Sequence, residues 1–315
     1  MPADLAADTA VHPDPETPGR YHLTLPDHWD YLLPSGGAAV TCALRAAEAA
    51  LAEPLLRLAS ATATFCTPIH PGKLVADVTV LRRGGSTAQV RVWLRHAAPP
   101  PTARAAAEAA GSTAEAAAGA DNAGLEVTAT FCRDRRGPDV KAVAFPEVRA
   151  LADALPVVDG APNNPHTRFR FFHQLECRIA DGDRFWLKDE LTAGPARYAR
   201  WMRYLAPQRD HQGRLDRLAI PPLIDTMPTA LHRAIGPGAY RYYAPSLDLT
   251  TYFVDDTARE WLLVAVTLRR ARTGWAVAVA DVWDDEGRLV AHGSQAMYLQ
   301  NLSGEPPVID ASDRR

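Results

Sequence analysis

Residues 79–94 read TVLRRGGSTAQVRVWL and residues 266–283 read VTLRRARTGWAVAVADVW. Arg82-Arg83 align with Arg269-Arg270 at an offset of 187. Upstream, Phe65 in TATFCTP matches Phe253 in LTTYFVD at an offset of 188. Downstream, GLEVTATFC (124–132) aligns with GRLVAHGSQAM (287–297), Leu125 on Leu289, at an offset of 164. The chain therefore reads as a duplication whose first half carries about 23 extra residues. The repeated pentapeptide TATFC, at 62–66 and 128–132, is not its trace. Copies 66 residues apart are too close for repeats of this size, and they read as two strands of one sheet.

Both halves show the same order of elements. In the first, a short strand near YHLTL (21–25) precedes a helix, GGAAVTCALRAAEAALA, opened by Pro34-Ser35. Long strands follow. Ala88, Val90, Val92 and Leu94 alternate with Gln89, Arg91 and Trp93, the period of a sheet with one packed face. In the second half, a strand near LECRI (175–179) precedes a helical region in YARWMRY and LDRLAIPPLIDTMPTALHRA, then strands near 246–253, 260–269, 274–283 and 288–299. Ala276, Ala278 and Ala280 form a small-residue face that lets a helix approach closely. One helix and a run of antiparallel strands per half give an α+β fold, each sheet curled around its helix. The two sheets are expected to join edge to edge and lose two exposed edges.

The expected organisation is a disordered tail (1–19), an N-terminal repeat (20–150), a C-terminal repeat (151–301) and a second tail (302–315). The extra residues lie in the Ala-, Pro- and Gly-rich insertion 97–124, opposite the tight turn DDEG at 284–287. Such a composition supplies no core, and it reads as surface, part helical or disordered.

Composition excludes some functions. Among the 315 residues 47% are hydrophobic and 23% charged, with a net charge of −3, so no electrostatic feature points to nucleic acid or anionic membrane. The longest apolar runs, such as WLLVAV at 261–266, are far short of a membrane span. The start, MPADLAADTAVHPDPETPG, has no basic, apolar export signal, so a cytoplasmic location is expected, with Cys42, Cys66, Cys132 and Cys177 as reduced thiols. The histidines include no metal-ligating spacing, and Gly36-Gly37 and Gly84-Gly85 fit no dinucleotide or phosphate loop. No metal and no cofactor is expected.

Polar residues stand out in three places. On the last strand Gln295 shares a face with Leu289, Ala291, Gly293, Met297 and Leu299, where a lone amide needs a partner. The alignment puts Phe131 opposite it in the first half, which suggests a site present in one half only. A backbone partner for Gln295 is the alternative. Asp225, in LIDTM, sits among apolar residues on the second helix, where a cap or local turn before Pro228 is equally readable. The strand SLDLTTYF offers Ser246, Asp248 and Thr250 on one face and Leu247, Leu249 and Phe253 on the other. NNPH at 163–166 is similar to the D-x-N-P-x-H signature of hot-dog enoyl hydratases, but Pro162 holds the Asp position.

With these residues in view, the chain resembles the acyl-CoA thioesterases of the double hot-dog type, the thioesterase II-like group. The resemblance runs from about residue 20 to 301 apart from the insertion. It rests on LLPSGG, TFCTPIHPGKLVADVTVLRRGGSTAQVRV and VTATFC in the first half, and on RLAIPPLID, SLDLTTYF, EWLL and DDEGRLVAHGSQ in the second. It implies a double hot-dog fold and hydrolysis of a fatty-acyl-type CoA thioester, in lipid metabolism, by a directly activated water. It further implies that this water is held by an Asp, a hydroxyl and a Gln, here Asp225, Ser246 (or Thr250) and Gln295. Backbone N–H groups at Gly36-Gly37 would receive the oxyanion. Arg82, Arg83, Arg269 and Arg270 are either CoA-phosphate partners or solvated strand-end charges. The implied partner is acyl-CoA, and a homodimer or higher homo-oligomer is left open. A non-catalytic acyl-CoA-binding protein and an enoyl-CoA hydratase or dehydratase remain as alternatives.

Overall fold

The computed structural model describes residues 2–31, 34–98, 123–157, 160–161, 164–187, 194–236 and 240–309. Most of the expected insertion thus lies outside the described residues, as does the end of the C-terminal tail. The strands are β1 (His12–Pro13), β2 (Arg20–Leu25), β3 (Arg57–Phe65), β4 (Gly72–Arg83), β5 (Thr87–His96), β6 (Leu125–Cys132), β7 (Leu155–Pro156) and β8 (Leu175–Asp181). They continue with β9 (Arg197–Tyr204), β10 (Arg241–Tyr243), β11 (Asp248–Phe253), β12 (Leu262–Arg272), β13 (Trp275–Asp284), β14 (Leu289–Tyr298) and β15 (Gln300–Ser303). The helices are α1 (Leu5–Asp8), α2 (Gly36–Leu51), α3 (Pro165–Arg168), α4 (Ile220–Ile224) and α5 (Pro228–Ile235).

Thirteen strands form one antiparallel sheet in the order β1-β2-β4-β5-β6-β3-β11-β14-β13-β12-β9-β8-β7. The joint between halves is β3–β11, where Thr62 pairs with Thr250, Thr64 with Asp248 and Ser60 with Tyr252. This register repeats itself under an offset of 188, so a pseudo-twofold axis passes through the Thr62–Thr250 pair. The joint removes two free edges, as expected. The fold is a double hot-dog, α+β as anticipated.

The two TATFC segments lie on neighbouring strands, with Thr62 opposite Thr128. Both long hairpins carry a bulge, at Leu81 in β4 and Arg269 in β12, which sets their offset at 188 and not the 187 of the paired arginines. The last strands need a larger correction. Thr62 faces Thr128 and Thr250 faces Ser294, so β6 and β14 correspond at an offset of 166. Ala129, not Phe131, is therefore the counterpart of Gln295. Val90 faces Ala129 as Ala278 faces Gln295.

Helix α2 is buried on nearly all sides, and its residues Ala38, Ala39, Ala43, Ala46 and Ala47 are at most 2% exposed. Small side chains all round let it pack against β4, β5 and β6 on one side and α4 on the other. The second half splits its helix. Pro228 has no N–H for a carbonyl one turn back, so the helix stops at Ile224 and restarts as α5.

YARWMRY, expected to be helical, is strand β9. It pairs with β8 and β12 and takes the place in the second half that β2 takes in the first. Alternation is hidden because both faces are covered. Tyr198, Met202 and Tyr204 join the main core, while Ala199 and Trp201 join an outer cluster with Trp283. Phe145, in the segment linking the halves, stacks on Trp201 at 6.2 Å and meets Trp283 at 5.6 Å.

Residues 2–19 are not a free tail. Leu5 is fully buried, and His12 pairs with His22. The Ala3 and Ala6 N–H groups donate to the Gln174 and Gln208 carboxamides at 2.9 and 3.1 Å. One buried leucine and two long-range amide contacts outweigh the polar composition. At the other end, β15 pairs with β10 and runs to Ser303, past the expected boundary. All four cysteines are unpaired.

A Cβ on Gly37 would sit 2.3 Å from the Pro221 carbonyl oxygen and 2.5 Å from Pro222 Cα. Gly37→Ala is expected to lower unfolding free energy by about 2–3 kcal/mol in a urea titration, through overpacking of backbone on backbone. Gly85→Ala, where an added Cβ meets nothing within 4 Å, is the control and should leave it unchanged.

Candidate active site

The break between α4 and α5 leaves Asp225 as the last cap of α4, with its side chain directed at the other half. Its carboxylate is 6% exposed and accepts four hydrogen bonds. Oδ2 accepts from Ser35 Oγ at 2.9 Å and from the Gly37 N–H at 3.0 Å. Oδ1 accepts from Gln295 Nε2 at 2.7 Å and from Ser246 Oγ at 3.2 Å. Gln295 Nε2 also donates to Ser246 Oγ at 2.6 Å. An amide facing a carboxylate must present its NH₂, which fixes the Gln295 orientation and leaves its Oε1 buried without a partner.

Asp225, Ser246 and Gln295 thus come together, and Thr250 does not. Its hydroxyl lies 3.1 Å from that of Thr62, on the pseudo-twofold axis. The plain alternation of SLDLTTYF is broken between them. Thr250 faces Ser294 while Ser246 faces Met297, one residue out of step. The irregularity turns Ser246 to the inner face that Gln295 and Met297 share, and Leu247 is 43% exposed where Leu249 is 1%. Asp248 accepts from the Ala296 N–H at 2.9 Å. The counterparts of Ser246 and Gln295 across the axis are Leu58 and Ala129, both buried and apolar, so no second copy of this triad exists there.

The expectation for Gly36-Gly37 needs correction. The Gly37 N–H is engaged by Asp225, so it does not face a ligand, while Gly36 borders the cleft. Ser35 was legible only as a helix start. It makes no side-chain cap on its own helix and gives its O–H to Asp225 instead. In effect Asp225 caps α2 from the opposite half.

Burial pushes the Asp225 carboxyl above the ordinary carboxylate value. The bonds from Gly37, Ser35, Gln295 and Ser246 favour the ionised form and oppose that rise. Asp225 and Ser246 border a cleft of about 1310 Å³, whose walls include Tyr31, Phe65, Phe169 and Phe172. Its volume and aromatic lining suit an elongated ligand that is apolar over much of its length. Arg82, Arg83, Arg269 and Arg270 are exposed at hairpin ends and line no part of it, whereas the exposed Arg168 and Arg241 do. His166 of NNPH also lines the cleft, at the start of α3. Among the described residues no group of three or more His, Cys, Asp or Glu could hold a metal, and no helix is long and apolar enough to cross a membrane.

Comparison with known proteins bears on the family and the fold. The family model described as the acyl-CoA thioesterase N-terminal domain matches residues 25–132, and that of the acyl-CoA thioesterase C-terminal domain matches residues 149–299. The chain belongs to the acyl-CoA thioesterase family of double hot-dog proteins. A hot-dog protein of unknown function from Alicyclobacillus acidocaldarius superposes with a TM-score of 0.72 at 20% identity, covering 96% of this chain and 98% of that one. The acyl-CoA thioesterase II TesB2 from Mycobacterium marinum gives 0.68 at 18% identity, over 96% and 100%. A putative thioesterase II from Thermobifida fusca gives 0.69 at 18%, over 94% and 97%. A search among curated proteins finds no significant match.

A carboxyl resonance titration read by NMR should place Asp225 above the ordinary Asp value. Ser35→Ala removes a bond that favours the anion, so it should move that midpoint further up. A midpoint at or below the ordinary value would contradict the burial argument.

Proposed function

We propose that the protein hydrolyses an acyl-CoA thioester by direct attack of water held at Asp225 and Ser246. The observation that carries this reading is the convergence of a buried carboxylate, a hydroxyl and an amide at one wall of an aromatic cleft. The 3.2 Å Ser246–Asp225 contact is the longest of the set and the one a water would replace. The water then donates to Asp225 Oδ1 and accepts from the Ser246 O–H. Gln295 does not border the cleft; it holds the carboxylate and hydroxyl in place. As the water oxygen bonds to the carbonyl carbon, its proton passes to Asp225. Collapse of the tetrahedral species breaks the C–S bond, and that proton goes to the departing sulfur.

An oxyanion beside Gly36 would face the positive end of the 16-residue α2, which supplies stabilisation at no cost in reorganisation. Arg168 and Arg241 at the rim offer cations to CoA phosphates, and the aromatic walls take the acyl chain. A raised carboxyl pKa brings the base closer to neutral pH, where proton transfer is more effective.

Steady-state assays of CoA release over a panel of acyl-CoAs test this. Asp225→Ala and Gln295→Ala are expected to lower kcat/KM by about a hundredfold or more. Thr250→Ala should leave it unchanged. Equal activity in wild type, Asp225→Ala and Gln295→Ala would reject the site. Binding of acyl-CoA without thiol release at any chain length would show a binding protein instead. In log kcat/KM against pH, the acid limb should fall above the ordinary Asp value, because the base is lost as pH drops through its raised pKa.

A further inference from the structure

The wall of the cleft formed by β9 carries a group that an all-hydrocarbon acyl chain does not need. Arg200 is 1% exposed and lines the cleft. Alternation along β9 places it on the inner face with Tyr198, away from Ala199 and Trp201. Its Nη2 donates to Thr229 Oγ1 at 3.2 Å, and among the described residues it pairs with no carboxylate. The guanidinium lies 5.3 Å from the Phe172 ring centroid and 5.7 Å from that of Tyr198. Those ring faces offset part of its desolvation, but they accept none of its five N–H bonds. Arg233, the second buried arginine among the described residues, is treated differently: its Nη1 donates to the Pro195 and Arg197 carbonyls, each at 3.1 Å, and its Nε lies 3.9 Å from an Asp183 carboxylate oxygen.

Two buried polar atoms without a hydrogen-bond partner, the Tyr31 hydroxyl and His166 Nδ1, line the same cleft. The His166 ring packs against that of Phe172, tilted by 47° with centroids 4.3 Å apart. Burial, with the charge of Arg200, holds its ring well below the ordinary histidine pKa, so it adds polarity without a second positive charge. The Tyr31 ring meets Phe172 edge-on at 5.6 Å, the same ring that Arg200 covers, and Tyr31, Arg200 and Asp225 all line this cleft. A buried cation, a hydroxyl and an imidazole with spare capacity around one space define a seat for an anion.

We infer that the cleft selects thioesters whose acyl chain itself ends in a carboxylate, which Arg200 and the Tyr31 hydroxyl bind while the thioester carbonyl lies at Asp225. This rests on the reading of the site as a thioesterase. A methyl-ended chain would leave the buried Arg200 charge without a carboxylate partner among the described residues, so the preference comes from the cost to the wrong chain as much as attraction of the right one. Charge-assisted bonds at such a site are worth about ten- to a hundredfold in affinity.

The test pairs each ω-carboxyacyl-CoA, from succinyl-CoA to suberyl-CoA, with the alkyl ester of equal length. Wild type should favour the carboxylate-ended ester by about tenfold or more in kcat/KM at its best length. Arg200→Lys should keep most of that ratio, and Arg200→Met should abolish or invert it. Circular dichroism and Tm check that both variants fold, and the ratio is internal to each protein. Non-hydrolysable thioether analogues of the same pairs are titrated in parallel. If no ester releases CoA, the hydrolase reading fails, and the affinity ratio of the analogues still decides the anion seat. The inference is overturned if wild type prefers the alkyl member at every length, or if Arg200→Met changes both members in the same proportion.

Discussion

The structure depends on where one carboxylate is placed. Asp225 belongs to the C-terminal repeat, yet its Oδ2 serves the first turn of the N-terminal repeat's helix through Gly37 and Ser35. A helix end that is buried must have its N–H groups met, and here the partner comes across the joint. The Gly37–Pro221 approach follows, because the two helix ends must nearly touch for the carboxylate to reach. Thr41, which donates to the Leu218 carbonyl at 2.7 Å, repeats the tie one turn further along α2. The group that would take a proton from water is thus also part of what holds the repeats in register. Chemistry and architecture are not separable at this residue.

That double duty sets a tension. Burial opposes the anion, and four donors offset that only in part, so the carboxyl stays above its ordinary value. Ser246 and Gln295 form the half of this shell that belongs to the same repeat, and Ser35 and Gly37 form the other half. Neither repeat alone contains the whole. The aromatic cleft likewise draws Tyr31 and Phe65 from the first repeat and Phe172 from the second.

Much of this was readable in the chain because periodicity survives duplication. The long hairpins, the alanine-rich α2 and the isolated amide at Gln295 all follow from side-chain pattern. What failed were inferences that counted residues through an irregularity. One-residue bulges shifted the hairpin offset, gaps in the last strands turned Ala129 into Phe131, and a register slip before Thr250 hid the difference between two hydroxyls. β9 was missed because aromatic and aliphatic residues cover both of its faces, which erases the alternation that marks a strand. Ser35 gave the signal of an ordinary helix start, and only the partner across the joint reveals its use. The anchoring of the first residues by Leu5 could not be weighed against their polar surroundings without the surface that receives it.

The Thr62–Thr250 axis has a final implication. Had the two repeats been separate identical chains, each substitution near that axis would have appeared twice, and a glutamine gained at one position would have forced a glutamine at the other. Tethering lifted that obligation. Leu58 and Ala129 on one side, Ser246 and Gln295 on the other, are divergence that a strictly symmetric pair could never have accumulated. The linked chain was thus free to keep an apolar pair on one side of the axis and a polar pair on the other.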